Sequence, residues 1–189
     1  MKILFRGKLF TLYNETLATP QGRRVTYERC RRPASVVLIP FLNADTLLIL
    51  REYRIALGRN TWRLPSGRVD HEGVPQNRIL NPKLSKDLAI LQSAAHRELQ
   101  EETGFRAEKL THYRDRFTGE SIKAPAHIFI AQNLIRDPLP RDADETITVH
   151  KIPFERAYRM AISGAIEEEL MALSLIRLFH EQTRSLKKN

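Results

Sequence analysis

The stretch that decides the fold reads Arg97-Glu98-Leu99-Gln100-Glu101-Glu102-Thr103-Gly104-Phe105. Before and within it, apolar residues recur at intervals of three, four and four, the spacing of one face of an α-helix: Leu88, Leu91, Ala95 and Leu99. Gly104 is the expected stop, because glycine readily adopts the left-handed conformation that ends helices. The pattern predicts a helix over residues 85–103 whose last turns carry three carboxylates.

Stability alone does not favour carboxylates at this end of a helix. The C-terminus carries partial negative charge, and Glu98 and Glu102 form a like-charge pair four residues apart. At about 100° per residue their side chains lie roughly 40° apart, on the margin of the apolar face. Such a cluster favours a hard divalent cation. The alternative is an acidic patch satisfied by arginines, since Arg97 and Glu101 have the spacing of an ion pair.

Composition is that of a folded globular protein with one domain. The chain has 189 residues, 42% of them hydrophobic, and one cysteine, so an internal disulfide or a cysteine-based zinc site is excluded. The N-terminal sequence MKILFRGKLF does not resemble a secretory signal, and no apolar stretch approaches the roughly 18 residues of a membrane span. We therefore expect a cytoplasmic protein with no membrane segment.

The net charge of +9 resides at the two ends of the chain. Residues 1–33 hold eight basic and two acidic residues, residues 183–189 add three basic ones, and the remainder is neutral. A basic balance can indicate nucleic-acid binding. Solvated basic ends are favoured here, because no basic stripe with interleaved aromatic residues accompanies the charge.

Strand-like and helix-like periodicities alternate along the chain, which predicts an α/β or α+β fold. An N-terminal β extension is expected over residues 1–33, followed by the main domain over residues 34–189. The expected elements are strands at 3–12 and 23–31 around a turn at 20–22, a buried hairpin of 35–42 and 46–53, a short strand at 60–64, an exposed loop at 68–84, strands at 127–134 and 146–152, and helices at 153–163 and 165–187.

The segment RELQEETGF resembles the core of the Nudix box, whose second half runs Arg-Glu-aliphatic-any-Glu-Glu-any-Gly-aliphatic. Other segments resemble the branch of ADP-ribose pyrophosphatases and nucleoside diphosphate sugar hydrolases: REYR at 51–54, WRLPSGRVD at 62–70 and ETITVHKIPFERA at 145–157. The resemblance implies the Nudix α/β/α sandwich with a mixed sheet, plus a small antiparallel sheet from the N-terminal extension. It also implies a homodimer, which that extension helps to form.

By this resemblance, Glu98, Glu101 and Glu102 would bind Mg²⁺ or Mn²⁺ together with the backbone carbonyl of Ser66, and Arg97 would orient the carboxylates. The implied reaction is attack by water on one phosphorus of a diphosphate linked to a nucleoside. Phosphate esters resist water because their negative charge repels nucleophiles, and clustered cations remove that barrier.

The sequence departs from the family pattern before the helix. Gly73 stands at the glutamate place of the first half of the box, with Glu72 as a weak substitute, and 29 residues separate Gly67 from Arg97 where the family usually has 13. The insertion falls within residues 71–88. Arg63 stands where the branch commonly has a glutamate, so either a carboxylate ion pair is lost or an additional cation faces the substrate.

Four residues are candidates for contacts with substrate or water. Glu120 is the only carboxylate in the loop FTGESIKAPAH, where the branch tends to carry its base, so it is a candidate base or metal ligand. The alternative is a solvated loop residue, in which case Glu98 or a metal-bound hydroxide would act as the base. Arg54 and Arg63 could grip a diphosphate, or form surface ion pairs instead. Trp62 could stack on a base, although a strand aromatic more often packs in the interior.

The favoured function is divalent-metal-dependent hydrolysis of ADP-ribose or a related nucleoside diphosphate sugar to a nucleoside monophosphate and a sugar phosphate. An RNA 5′-pyrophosphohydrolase is the alternative that the basic ends favour. A catalytically inactive Nudix ligand-binding or regulatory domain is the alternative that the interrupted box favours, and retention of all three helix carboxylates argues against it.

Overall fold

The computed structural model describes residues 1–69, 87–116, 119–141 and 145–186, which form a mixed α/β fold, as predicted. The helices are α1 (Leu88–Thr103), α2 (Phe154–Ile162) and α3 (Glu169–Leu186), and a 3-10 helix spans Ile55–Leu57. The strands are β1 (Lys2–Arg6), β2 (Thr11–Ala18), β3 (Arg24–Arg31), β4 (Ser35–Pro40), β5 (Thr46–Arg54), β6 (Arg59–Arg63), β7 (Ser66–Arg68), β8 (Phe105–Arg116), β9 (Ile122–Lys123), β10 (Ala126–Arg136) and β11 (Ile147–Pro153).

The strands form three sheets, with the orders β1-β2-β3-β9, β7-β4-β10-β8 and β11-β5-β6. The chain divides into two compact units. One contains Met1–Val36, Arg68–Ala94 and Asp115–His127; the other contains Val37–Gly67, Ala95–Arg114 and Ile128–Asn189. Within the described ranges, none of the helices combines the length and the hydropathy needed to cross a lipid bilayer.

The first unit contains the N-terminal strands. The predicted turn at residues 20–22 is confirmed, with the Gly22 N–H donating to the Thr19 carbonyl at 2.9 Å and Gly22 at φ 81°. The single strand expected over residues 3–12 is wrong. Residues 7–10 instead turn the chain, closed by a 2.8 Å hydrogen bond from the Gly7 N–H to the Phe10 carbonyl, and β1 pairs antiparallel with β2.

The core of the second unit includes β4 and β5. The predicted turn between them is present, because the Asn43 side chain accepts hydrogen bonds from the N–H groups of Asp45 and Thr46. The predicted hairpin is wrong: the two strands join different sheets and pair only through the isolated bridge Phe41–Leu47. β4 is buried along almost all of its length and β5 from Leu47 to Leu50, so both strands are covered on both faces there, each within its own sheet.

The predicted site helix is present as α1. It begins after Asp87, whose carboxylate accepts hydrogen bonds from the N–H groups of Ala89 and Ile90 at 3.0 and 3.4 Å, as an N-cap. It ends as predicted at Gly104, which has a φ of 79° and donates its N–H to the Gln100 carbonyl.

Three other parts of the chain differ from the sequence-based expectations or lie outside the described residues. Strand β8 was missed, because most of its side chains are exposed and its sequence FRAEKLTHYRDR has no clear apolar alternation. Helix α3 begins at Glu169 rather than at residue 165, and Glu167 lies ahead of it in an ion pair with Arg59. Nearly all of the exposed loop expected over residues 68–84 lies outside the described residues.

Candidate active site

Helix α1 presents its carboxylates beside the core, as its periodicity predicts. Leu91 and Leu99 are buried on the apolar face. Glu98 and Glu102, one turn apart on the margin of that face, are only 8% and 1% exposed, whereas the Glu101 side chain is 21% exposed. Three carboxylates therefore lie at the end of one helix, two of them with little access to bulk water.

Glu98 lies against the backbone of Gly67. A Cβ atom placed on Gly67 would lie less than 3.0 Å from the carboxylate carbon and both carboxylate oxygens of Glu98. Any residue other than glycine at position 67 would overlap the carboxylate of Glu98 in its present position. Glycine at position 67 thus allows the backbone to approach the Glu98 carboxylate closely.

Arg97 bridges the two more accessible carboxylates. Its Nη2 lies 2.8 Å from Glu98 Oε1, and its Nη1 donates to Glu101 Oε2 at 2.9 Å. The spacing of Arg97 and Glu101 predicted this second ion pair. Together the two contacts hold the Glu98 and Glu101 carboxylates on either side of one guanidinium.

Glu102 has partners on both carboxylate oxygens. Arg63 Nη2 donates to Oε1 at 2.5 Å, and the backbone N–H of Ser66 donates to Oε2 at 2.8 Å. Burial raises the pKa of the Glu102 carboxyl to about 7, and the Arg63 charge and the Ser66 N–H oppose that rise. Glu102 therefore titrates near neutrality, which is far above the ordinary range of a glutamate.

Arg63, predicted as a possible diphosphate contact, lies in the interior with 4% exposure. Besides Glu102, it forms a salt bridge with Glu52 and donates to the Leu64 carbonyl and Ser66 Oγ at 3.2 and 3.3 Å. The structure thus directs this cation towards two carboxylates of the protein itself. Arg63 therefore pairs with carboxylates of the protein instead of facing the substrate, and it introduces its own ion pairs at this position.

The other predicted contact residues lie in different settings. Arg54 has a 42% exposed side chain, with its Nη1 3.4 Å from Glu52 Oε1. Trp62 is half-buried and packs edge-on against the ring of His150, with centroids 4.8 Å apart. Glu120 belongs to the first unit, where its side chain is exposed and its backbone carbonyl accepts a hydrogen bond from Arg29.

Arg141 completes the helix end and was missed from the sequence. Its guanidinium donates to the backbone carbonyls of Glu101, Glu102 and Ile147 at 3.3, 3.1 and 2.9 Å. A cation at this place opposes the negative end of the α1 dipole, which carries the three carboxylates. No local sequence signal identifies it, because Arg141 follows Glu102 by 39 residues.

The donor set fits a divalent cation of the Mg²⁺ class. Such ions prefer oxygen ligands, and carboxylates with at least partial access to water leave room for water and phosphate oxygens. Glu101 supplies partly exposed oxygens, and the less exposed Glu98 supplies oxygens beside the backbone of Gly67. In cation-free protein the arginines Arg63 and Arg97 balance part of this negative charge.

The Glu102 carboxyl predicts how the stability of the cation-free protein depends on pH. Its pKa is about 7 in the folded state against an ordinary value of 4.5, so between these values the folded state binds more protons than the unfolded state. The free energy of unfolding should therefore fall as the pH rises from about 5 to 8, by up to about 1.4 kcal/mol per pH unit from this one group.

Urea unfolding in the presence of a chelator measures this effect. Glu102→Gln serves as the reference, because it removes the titrating group and keeps a side chain of nearly the same shape. The difference in unfolding free energy between the two proteins should change with pH across this range. A difference that stays constant would contradict the assignment of a near-neutral pKa to Glu102.

Comparisons with known proteins identify the family. The NUDIX domain matches residues 31–172. The chain is 24% identical over 175 residues to the ADP-ribose pyrophosphatase of Bacillus subtilis, covering 91% of this chain and 86% of that protein. It is 30% identical over 145 residues to the ADP compounds hydrolase NudE of Escherichia coli, covering 75% of this chain and 69% of that protein.

The fold gives the same result. The crystal structure of an ADP compounds hydrolase matches with a TM-score of 0.71 at 25% sequence identity, covering 96% of this chain and 92% of that one. The domain match extends over most of the chain and includes the helix with the carboxylates. The chain therefore belongs to the Nudix hydrolase family, in the branch that includes the ADP-ribose pyrophosphatases.

Proposed function

We propose that this protein hydrolyses the diphosphate of ADP-ribose or a related nucleoside diphosphate sugar, with a divalent cation, to a nucleoside monophosphate and a sugar phosphate. The observation that carries this proposal is the set of three carboxylates at the end of α1, with Glu98 packed against Gly67, in a chain of the Nudix family. The relatives named ADP-ribose pyrophosphatase and ADP compounds hydrolase support the substrate class.

In this proposal Glu98, Glu101 and Glu102 hold Mg²⁺ or Mn²⁺, with the Ser66 carbonyl as a further ligand. When bound, such a cation neutralises charge on the diphosphate and makes a water molecule more acidic. Arg97 orients Glu98 and Glu101 through its two ion pairs. The Glu98 and Glu101 carboxylates are therefore already oriented before the substrate binds, so little free energy is spent on reorienting them during the reaction.

The remaining roles concern the substrate and the proton of the attacking water. Arg54 contacts the diphosphate, since its side chain is 42% exposed and its Nη1 lies 3.4 Å from Glu52, a long ion pair. Trp62 stacks on a base of the substrate, since it is only half-buried and its packing against His150 fixes the ring. Glu120 accepts the proton of the attacking water, since it is an exposed carboxylate in a chain segment adjoining β9. Arg63 is assigned to the carboxylates rather than to substrate.

We propose a cytoplasmic homodimer that assembles through residues 1–33, with residues 34–189 as the catalytic domain. The sheet β1-β2-β3-β9 supports this assignment, because several of its large apolar side chains are between 41% and 57% exposed: Ile3, Leu4, Phe5, Leu12, Leu17 and Ile122. A second copy of the same sheet would cover them at a symmetric interface.

The test is hydrolysis of a substrate panel with Mg²⁺, with products identified by mass. The panel contains ADP-ribose, other nucleoside diphosphate sugars and 5′-triphosphorylated RNA. We expect AMP and ribose phosphate from ADP-ribose, and no release of product with chelator. Release of pyrophosphate from RNA alone would favour the RNA pyrophosphohydrolase, and no turnover on any compound despite metal binding would favour a ligand-binding domain.

A further inference from the structure

The surroundings of Glu102 differ from those of the other two carboxylates at the end of α1. Arg97 serves Glu98 and Glu101 from the more accessible side, where its side chain is 35% exposed. Arg63 serves Glu102 from the interior, and both side chains are at most 5% exposed. Glu102 is thus the carboxylate whose charge is balanced by a buried cation of the protein.

The contacts of Arg63 leave its guanidinium little freedom to move away. Its Nε pairs with Glu52 and its Nη2 with Glu102, while Nη1 donates to Leu64 and Ser66. Because all three nitrogens of the planar guanidinium group have partners, the group is held in a single orientation. Oε1 of Glu102 therefore faces a fixed positive charge at 2.5 Å, while Oε2 accepts the N–H of Ser66.

A guanidinium that is fixed on a carboxylate repels a metal ion that would bind the same carboxylate. We propose that Arg63 is a positioning residue that competes with the divalent cation for Glu102, and thereby weakens the affinity of the site for metal; this rests on the proposed function, in which Glu102 is a ligand. Arg63 thus places a buried positive charge directly beside the carboxylate that the metal would use.

The sign of the effect separates competition from a structural role. If Arg63 only supported the fold around the site, its removal would loosen the carboxylates and weaken metal binding. If it competes, its removal frees Oε1 of Glu102 and takes away a repulsive charge, so metal binding becomes tighter although the protein becomes less stable. Metal binding and formation of the Arg63–Glu102 ion pair are then coupled equilibria: the ion pair lowers the metal affinity, and bound metal disfavours the ion pair by the same factor.

The experiment measures the Mn²⁺ dissociation constant from the electron paramagnetic resonance signal of free Mn²⁺, without substrate. The variants are Arg63→Gln and the double variant Arg63→Gln with Glu52→Gln, which removes both members of the outer ion pair and so avoids an uncompensated Glu52. We expect Mn²⁺ to bind at least about tenfold more tightly, equivalent to about 1.4 kcal/mol, in the folded variants. Arg59→Gln, an exposed arginine of the same strand, should leave the constant unchanged.

A third variant shows whether the gain passes through Glu102. Adding Glu102→Gln to Arg63→Gln should abolish the gain in affinity, because the freed carboxylate is no longer present. Unchanged or weaker Mn²⁺ binding in variants that retain the far-ultraviolet circular dichroism of the native protein would overturn the proposal. If native protein bound no Mn²⁺ at all, the proposed function itself would fail, and the two failures are therefore distinguishable.

Discussion

Glu98→Gln is expected to lower kcat/KM for the hydrolysed nucleoside diphosphate sugar by about 10³-fold, which corresponds to about 4 kcal/mol of lost transition-state stabilisation. The change removes one negative charge and keeps the shape of the side chain. Glu98 is 8% exposed, pairs with Arg97 and packs on the backbone of Gly67, so an amide can occupy the same space. The loss would therefore arise from weaker cation binding rather than from unfolding.

Steady-state kinetics with Mg²⁺ and Mn²⁺ titrations measure this loss. The control is Glu108→Gln, an exposed carboxylate of β8, which should retain activity within about twofold, as substitutions at exposed sites usually do. Both variants should unfold within about 1 kcal/mol of the native protein. A Glu98→Gln protein that keeps more than a tenth of the activity would remove Glu98 from the set of metal ligands.

The helix that carries the site could be predicted from the sequence because its signals are local. The apolar spacing sets the buried face at Leu91, Ala95 and Leu99, although Leu88 at the start of the helix is 50% exposed. Gly104 ends the helix in the left-handed conformation. The same spacing places Glu98 and Glu102 at the edge of that face, and the structure has both buried there. Periodicity alone thus located the acidic cluster and indicated its partial burial.

The partners of these carboxylates could not be predicted in the same way. Arg63 meets Glu52 because β5 and β6 pair antiparallel, with Leu50 opposite Arg63 and Glu52 opposite Thr61. That register places the two charged side chains diagonally on one face of the sheet. A one-residue shift would separate them, and nothing local to either strand fixes the register.

The pairing of β4 and β5 shows the opposite limitation. The turn between them has a local signal in Asn43, and it forms, yet the strands enter different sheets. Partner choice depends on which surfaces can cover the apolar runs of β4 and of Leu47–Leu50 in β5, which are buried on both faces. The turn at Asn43 therefore showed where the chain reverses direction, but it did not show which strands pair with β4 and β5.

Gly67→Ala is expected to destabilise the protein by about 2 kcal/mol and to lower activity by about 10²-fold. A Cβ at this position would lie less than 3.0 Å from the carboxylate of Glu98, so either the backbone of residues 66–68 or the glutamate must move. The φ of Gly67 is not in the left-handed region, unlike that of Gly58 or Gly104. The cost would therefore come from the close approach and not from backbone strain.

A double-mutant cycle with Glu98→Ala isolates that contact. Glu98→Ala removes the carboxylate that the new methyl group would meet, so Gly67→Ala should then cost less than about 0.5 kcal/mol, leaving a coupling of about 1.5 kcal/mol. Gly119→Ala is the matched control, since a Cβ there meets no atom within 4 Å and stability should be unchanged or slightly raised. Equal costs of Gly67→Ala in both backgrounds would mean that Glu98 is not what requires glycine at this position. The carboxylate would then be held by α1 and Arg97 alone.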